Sequence, residues 1–310
     1  MKNITLIIPC YNEEHTLPDL ISELSSLIGI HKSYTFHILF VDDGSTDATQ
    51  SILKEYIKSL PITIVSLSRN FGHQAALQAG LDSAEESIIV LLDADLQDPP
   101  EVISDMIKKY EQGAKHVIAK RSQRNEKLIK KIPAHIFYYW AQKFSEFPFP
   151  REVADFRLLS PEVHTAYKSL PERKFFLRGI FAYLGFTPEI VTYTREKRQK
   201  GTSKYSWEKM IRLFLDSIPT LSSEPLRILF PLSKIVAATI LTIVLLILLL
   251  WFSQGLSTNN LLLICFLLIG LSATYIIGTL SIIALYLHAI FQQSQNRPPY
   301  IIDSIINAEQ

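Results

Sequence analysis

Short apolar runs alternate with amphipathic stretches through roughly the first 120 residues of the chain. Runs rich in β-branched residues are typical of buried strands, whereas apolar residues that repeat every three to four positions indicate helices. Alternation of the two is typical of βαβ units, so we predict an α/β domain with a Rossmann-like, mostly parallel sheet. The predicted strands cover residues 4–8, 36–41, 62–67, 87–92 and 116–119, and the predicted helices cover 13–26, 47–58, 73–83 and 100–112.

A different pattern begins after Lys234, because no Asp, Glu, Lys or Arg occurs again before Arg297. The uncharged run 235–252 as a helix spans about 27 Å, and with residues 228–233 added it crosses a hydrocarbon core of about 30 Å. Polar residues at 253–260 separate this run from a second one at 261–291. We therefore predict a hairpin of two transmembrane helices, at 228–252 and 261–291.

The two patterns together predict how the chain is organised. An α/β domain over 1–204 is followed by a juxtamembrane amphipathic segment at 205–227, the two spans and a tail at 292–310. The first apolar run ends at Pro9 and is too short for a signal peptide. The connection between the spans lacks Lys and Arg, whereas Arg227, Lys234 and Arg297 flank them. The positive-inside rule then places the domain and both termini on the cytoplasmic side of the plasma (inner) membrane.

Composition and charge exclude several classes of protein. The 31 basic and 30 acidic residues nearly cancel, which excludes a globally basic nucleic-acid binder. Two cysteines far apart in the chain exclude a disulfide framework and a Cys-based zinc site. The chain has neither a P-loop nor a Gly-x-Gly-x-x-Gly turn, so a P-loop nucleotidase and a classical dinucleotide enzyme are not predicted.

Polar segments follow four of the predicted strands. Ligands of open parallel sheets bind beyond the carboxyl ends of the strands, so we expect the four segments to form one site. Each segment alone is also typical of turns and helix caps, and Asp47 stands where a cap is expected. The segments are Pro9-Cys10-Tyr11-Asn12-Glu13-Glu14, Asp42-Asp43-Gly44-Ser45-Thr46-Asp47, Ser68-Arg69-Asn70-Phe71-Gly72-His73-Gln74 and Asp93-Ala94-Asp95-Leu96-Gln97-Asp98.

The carboxylates of Asp93 and Asp95 predict a cation site. Two close carboxylates raise each other's pKa unless a cation lies between them. Oxygen ligands, with Gln97 as a third candidate, favour Mg²⁺ or Mn²⁺ over zinc. An EF-hand is excluded, because Asp98 and Ser104 occupy the positions of its glycine and its last glutamate. Magnesium held by few carboxylates shares its coordination sphere with substrate phosphates, so a nucleotide diphosphate is the expected ligand.

Basic side chains are the other candidates for phosphate contacts. Arg121 and Arg124 follow the fifth predicted strand, and the run 195–205 combines several Lys and Arg residues with Gly201. Such a run is either a mobile phosphate clamp or a solvated face. A surplus of basic residues between Arg173 and Lys234 lies next to the predicted spans, where it suits anionic headgroups or a lipid phosphate.

These motifs, in this order, resemble those of membrane-associated family 2 glycosyltransferases of GT-A fold that act on polyprenyl phosphates, of the GtrB and dolichol-phosphate mannosyltransferase types. The resemblance covers residues 4 to about 205, and the predicted hairpin is similar to the GtrB arrangement. Besides the four segments above, it depends on Asp155-Phe-Arg-Leu and on Lys197-Arg-x-x-Gly-x-Ser-Lys-Tyr. It therefore implies a GT-A domain followed by a two-helix transmembrane hairpin.

The resemblance also implies roles for individual residues. Catalytic roles fall to Asp95, Asp155 and Arg157, with Asp155 either a base or an orienting group, and Asp93, Asp95 and Gln97 hold Mg²⁺ or Mn²⁺. Arg178 either faces the site or is structural, and His73 and Gln74 position a helix N-terminus. The residues implied to bind the nucleotide sugar are Pro9, Tyr11, Asn12, Glu13, Asp42, Asp43, Asp93, Ala94, Arg121, Arg198 and Lys204.

The activity implied by the resemblance is transfer of a sugar from a nucleotide-diphosphate sugar to polyprenyl phosphate at the cytoplasmic membrane face, with inversion. Glucose from UDP-glucose is the expected sugar, and N-acetylhexosamine, mannose and an aminoarabinose derivative stay open. The expected partners are the donor, the polyprenyl phosphate and the bilayer, with no nucleic acid. Small residues such as Gly270 and Gly278 in the second span are compatible with a homo-oligomer.

The sequence has two alternative interpretations. A processive polysaccharide synthase is disfavoured, because two spans are too few to line an export pore and no Gln-x-x-Arg-Trp motif occurs. A catalytically silent membrane adaptor of a glycan pathway is the alternative from another class. The full set of acidic and basic motifs argues against it.

Overall fold

In the computed structural model the chain forms an eight-stranded sheet with helices on both faces. Residues 2–85, 87–121, 153–170, 177–194, 223–254 and 257–307 are described. The strands are Lys2–Cys10 (β1), Tyr34–Asp42 (β2), Ile62–Leu67 (β3), Ile88–Leu91 (β4), His116–Arg121 (β5), Val153–Leu159 (β6), Glu189–Tyr193 (β7) and Ile302–Asn307 (β8). The helices are Leu17–Ile30 (α1), Thr49–Tyr56 (α2), His73–Ser83 (α3), Val102–Glu111 (α4), Pro161–Lys168 (α5), Leu177–Tyr183 (α6), Glu224–Gln254 (α7) and Thr258–Ser294 (α8).

The strands lie in the order β7-β5-β6-β4-β1-β2-β3-β8. The central strands β4, β1, β2 and β3 are parallel, and β7 is parallel to β5. β6 is antiparallel to both β4 and β5, and β8 is antiparallel to β3. The predicted mostly parallel α/β sheet is therefore confirmed.

Two apolar layers cover the sheet. Alternate residues of β1 face opposite sides, with Ile4, Leu6 and Ile8 in one cluster and Ile7 in the other. The first cluster includes α1, α2 and α4, and the second includes α3, α5 and α6. Helix α3 lies so close to the sheet that a Cβ on Gly80 would stand 2.3 Å from Ile7 Cγ2.

All five predicted strands and all four predicted helices occur, with ends that shift by a few residues. The largest shift is at α1, which starts at Leu17 instead of residue 13, because the preceding residues form a turn bonded to the loop after β2. Asp47 lies one residue before the N-cap of α2, which is Ala48, and its Oδ1 accepts a hydrogen bond from Thr49 N, the first N–H of the helix, at 3.0 Å. Strands β6, β7 and β8 were not predicted.

The C-terminal helices form a second compact unit. α7 and α8 contain the two predicted spans, are long and apolar enough to cross a membrane, and contact each other. The most apolar stretch of each helix is not buried by other parts of the protein. The predicted juxtamembrane segment lies outside the described residues up to 222, and the predicted tail contains the end of α8 and the whole of β8.

Candidate active site

The polar segments that follow β1, β2, β3 and β4 lie at one edge of the sheet, as the sequence predicts. These four strands are parallel neighbours, so their carboxyl ends point the same way. β6 runs in the opposite direction beside β4, with Arg157 opposite Leu91. This register places Asp155 beyond the end of β4, on the edge that also carries Asp93.

Hydrogen bonds fasten the loop after β1 to the loop after β2. Asn12 N donates to Ser45 Oγ at 3.0 Å, and Asn12 Oδ1 accepts from Thr46 N at 2.8 Å. Glu13 N donates to Thr49 Oγ1 at 2.8 Å. Asn12 has a φ of 54°, in the left-handed region that Asn tolerates. These contacts make Asn12 part of the loop's framework, and its predicted contact with the nucleotide stays a prediction.

The two carboxyl groups at the end of β2 hold backbone N–H groups. Asp42 Oδ1 accepts from Ser45 N at 3.0 Å. Asp43 accepts from Phe71 N at 2.7 Å and from Gly72 N at 2.9 Å. Both side chains are buried, and burial raises the pKa of Asp43 although the two N–H groups oppose this. Asp43 thereby ties the loop after β3 to the end of β2.

The loop after β4 presents the two predicted metal ligands. Asp93 keeps 30% of its side chain exposed, while Ala94 is buried. Asp95 Oδ1 accepts from Gln97 N at 3.2 Å, and Leu96 between them has a φ of 55°. The tight turn therefore puts Asp93 and Asp95 at the end of one buried strand.

The electrostatic setting of Asp93 suits a cation. Burial raises the pKa of Asp93 to about 6, His73 opposes this, and Asp155, Asp98 and Asp95 add to it. Among the described residues no group of three or more His, Cys, Asp or Glu is arranged to hold a metal. Two carboxylates suffice for Mg²⁺ when substrate phosphates complete its coordination sphere. The donor set thus fits a divalent cation that binds together with a diphosphate.

Asp155 is surrounded by hydrogen-bond donors although its side chain is only 8% exposed. Arg178 Nε and Nη2 donate to Oδ1 and Oδ2 at 2.8 and 3.1 Å, and Gln74 Nε2 donates to Oδ2 at 3.3 Å. Burial works against the ionised form, but Arg178, His73 and Arg157 outweigh it and hold the pKa of Asp155 well below its ordinary value. Its oxygens are engaged, so this arrangement suits an orienting group better than a proton acceptor.

His73, the first residue of α3, stands between two carboxylates. Its Nε2 lies 3.5 Å from Asp93 Oδ1 and 3.7 Å from Asp155 Oδ2. Burial disfavours the imidazolium, but the two carboxylates outweigh it and raise the pKa of His73 to about 9. The position at a helix N-terminus agrees with the sequence analysis. The contacts with Asp93 and Asp155 were not predicted.

Arg157 supports Asp155 from inside the core. It is 2% exposed, its Nε donates to the main-chain oxygen of Asp155 at 3.1 Å, and its guanidinium lies 4.7 Å from the centre of the Phe181 ring. Burial lowers the pKa of Arg157 to about 10, so it remains a cation at neutral pH. The role toward the acceptor or sugar that the sequence implied for Arg157 stays a prediction.

The structure describes only some of the remaining residues that the sequence predicts for the site. Pro9 is buried near the end of β1, and Tyr11 directly follows that strand. Arg121 ends β5. The side chain of Arg121 and the whole of Arg198 and Lys204 lie outside the described part of the chain.

Gln74 and Arg178 join distant parts of the chain at Asp155. Leu177 N donates to Gln74 Oε1 at 3.3 Å, so the start of α6 is fastened to the start of α3. The sequence assigns Gln74 to positioning a helix N-terminus and leaves Arg178 open between the site and a structural role. Only the fold shows that both contact the same carboxylate.

The family described as Glycosyl transferase family 2 matches residues 5–170. A bactoprenol glucosyl transferase of Shigella phage SfV is 36% identical over 96% of this chain and 97% of its own length. An uncharacterized glycosyltransferase of Bacillus subtilis is 34% identical over 98% of this chain and 94% of its own. Among solved structures, a mannosyltransferase from Pyrobaculum calidifontis in complex with GDP-Man and Mn²⁺ aligns with 95% of this chain and 87% of its own, at 16% identity and a TM-score of 0.47.

Proposed function

The chain belongs to glycosyltransferase family 2 and has its GT-A fold, and on this premise we propose that it transfers glucose from UDP-glucose to polyprenyl phosphate. The observation that carries the proposal is the 36% identity, over nearly the full length of both chains, to a bactoprenol glucosyl transferase. Bactoprenol is a polyprenyl lipid, so its phosphate stays at the membrane surface. The two unburied apolar helices agree with an acceptor of that kind.

Asp93 and Asp95 are the proposed ligands of Mg²⁺ or Mn²⁺, with Gln97 nearby. Such an ion, when bound, stabilises negative charge on the leaving diphosphate. The place of Asp93 and Asp95 in one tight turn at the end of a buried strand supports this assignment, and the burial and neighbouring carboxylates that raise the pKa of Asp93 are conditions that a bound cation would offset. Pro9, Tyr11 and Glu13 at the ends of the neighbouring loops are the proposed contacts of the nucleoside.

The acceptor needs little help to ionise. A phosphate monoester has a second pKa of about 6, so at neutral pH an oxygen of the polyprenyl phosphate already carries the charge with which it attacks. We propose that this oxygen forms the bond to the anomeric carbon as the bond to the diphosphate breaks on the opposite face. Asp155 then orients the reactants, since Arg178 and Gln74 occupy its oxygens.

We propose that the site faces the cytoplasm at the plasma (inner) membrane. Arg227, Lys234 and Arg297 flank the helices, whereas their connection has no Lys or Arg. The sheet unit includes strands β1 to β7, which precede α7, and β8, which follows α8. A chain that leaves this unit and returns to it crosses a bilayer an even number of times, which agrees with two spans.

Labelled donors test the proposal directly. Membranes that contain the full chain are incubated with polyprenyl phosphate and labelled UDP-glucose, UDP-N-acetylglucosamine or GDP-mannose, and label extracted into organic solvent is counted. We expect extractable label with UDP-glucose, and inversion gives a β-linked product by NMR. Label from another donor alone would correct the sugar. No label from any donor, with folded protein present, would favour the silent adaptor.

A further inference from the structure

The chain that follows α8 returns to the candidate active site. Ser68 N donates to the main-chain oxygen of Ile301 at 2.9 Å, immediately before β8 begins. β8 then pairs with β3, and the ladder shifts register between Ser66 and Leu67. The first residue of the loop that leads from β3 to His73 is thus held by a residue from the far end of the chain.

Tyr300 contacts the far end of the helix into which this loop leads. Its hydroxyl donates to Asp82 Oδ2 at 2.8 Å, and Asp82 lies near the end of α3. The ring of Tyr300 packs against the apolar cluster on the α3 side of the sheet, as does Phe71. Ile301 therefore holds the start of the 68–72 loop while Tyr300 holds the helix into which that loop leads.

The 68–72 loop is also closely fitted on its other side. Asp43 accepts from the N–H groups of Phe71 and Gly72. A Cβ on Gly44 would stand 2.6 Å from the carbonyl carbon of Arg69, so the two loops touch backbone to backbone. Directly after Gly72 comes His73, whose ring lies between Asp93 and Asp155. A displacement of this loop therefore displaces His73.

We propose that Tyr300 and Ile301 are positioning residues: the chain emerging from the second apolar helix sets the 68–72 loop and, through it, the place of His73 against Asp93 and Asp155. Structural support for the loop follows from the contacts alone. Its effect on sugar transfer rests on the function proposed above.

A matched pair of variants separates positioning from general support of β8. Tyr300→Ala removes the hydrogen bond to Asp82 and the packing of the ring against the apolar cluster that Phe71 of the loop also contacts. Ile306→Ala removes a side chain at the opposite end of β8, where Ile306 pairs with Ile64 and packs on the other face of the sheet. Both variants lose apolar packing from the segment 300–307, and only Tyr300 packs against the cluster that Phe71 of the loop also contacts. Tyr300→Phe, which removes only the hydroxyl, is the mild variant if Tyr300→Ala does not fold.

Hydrogen exchange of the full chain in detergent gives a readout that does not depend on activity. We expect Tyr300→Ala to speed exchange at Phe71 and Gly72 by about tenfold or more, and Ile306→Ala to leave these amides near wild type. Tyr300→Phe should change them in the same direction by a smaller factor. Equal protection of Phe71 and Gly72 in all variants would overturn the proposal.

Transfer kinetics extend the test to the reaction. At equal amounts of folded protein, Tyr300→Ala should lower kcat/KM by about tenfold or more, while Ile306→Ala keeps it near wild type even if its Tm falls. Equal kinetic losses in the two variants would show a merely structural strand. If exchange changes as expected and wild type itself transfers no sugar, the proposed function fails and the positioning of the loop stands.

Discussion

Arg178 holds Asp155 through both carboxylate oxygens, with Nε 2.8 Å from Oδ1 and Nη2 3.1 Å from Oδ2. Such a bidentate contact fixes the orientation of the carboxylate and also compensates its charge. Asp155 comes from an antiparallel strand and Arg178 from a short helix after it, so the pair joins the edge of the sheet to α6. The Asp155 carboxylate is thereby held in one orientation beside His73.

Substitution of Arg178 should separate its charge from its geometry. Arg178→Ala leaves a buried carboxylate short of its main cation, and we expect transfer per folded molecule to fall by about 100-fold. Stability should fall by about 1–3 kcal/mol, less than for a fully buried pair because Arg178 is 27% exposed. Arg178→Lys keeps the charge without the fork and should give an intermediate rate. Transfer assays with denaturant titrations check this, and wild-type rates in Arg178→Ala would contradict it.

Removal of a proposed metal ligand should stop the reaction without unfolding the domain. Asp95→Ala deletes one of two carboxylates at the site, so we expect loss of transfer at any Mg²⁺ or Mn²⁺ concentration with an unchanged Tm. Asp105→Ala is the matched control, since it removes a carboxylate that is 60% exposed on α4. Full activity of Asp95→Ala with added metal would remove the basis for the cation.

His116 should make stability sensitive to acid. It is buried near Phe181, and burial together with Arg157 lowers its pKa to about 3 from an ordinary 6.5. Between these two pKa values His116 is protonated in the unfolded chain and neutral in the folded chain. Stability therefore falls as pH drops below 6.5. We expect the unfolding free energy of wild type relative to His116→Leu to fall by about 2 kcal/mol between pH 7 and pH 5.

Denaturant titrations at the two pH values measure this difference. Wild type and His116→Leu both contain His73 and Asp93, so the contributions of these two residues cancel in the difference between the proteins. Parallel stability curves for wild type and His116→Leu would show that the histidine is not buried as a neutral ring.

The approach of α3 to the sheet should tolerate no added methyl group. Gly80→Ala places a Cβ against Ile7, and we expect a loss of about 1–3 kcal/mol. Gly29 in α1 has no neighbour within 4 Å of a built Cβ, so Gly29→Ala should stabilise by about 0.5–1 kcal/mol. Thermal melting of both variants gives the comparison, and similar Tm shifts would contradict the close packing.

Much of the fold could be predicted because local pattern and final burial coincide there. Strands β1 to β4 contain nearly continuous apolar runs, since parallel strands covered on both faces have few polar positions. β6 does not follow that pattern, because Asp155 and Arg157 interrupt it and neutralise each other only in three dimensions. β8 was missed because its partner β3 lies far away in the sequence.

The candidate site divides in the same way. Asp93 and Asp95 follow directly from their place after a strand, since the ends of parallel strands share an edge. The contacts of Asp155 with Gln74 and Arg178 join positions 81 and 23 residues apart, and no periodicity encodes such distances. Asp42 and Asp43 show the limit of motif reasoning, because their carboxylates accept hydrogen bonds from backbone N–H groups of the protein with the same oxygens that would accept them from a nucleotide.

The place of β8 in the chain sets an order for synthesis. The ribosome makes β3 long before β8, and both apolar helices are made in between. During that interval the outer backbone groups of β3 have no strand partner, which is the state in which sheets pair with other chains. When α7 and α8 insert into a bilayer, as proposed above, β8 is made only after them, so a delay in insertion prolongs the time for which this edge is open to aggregation.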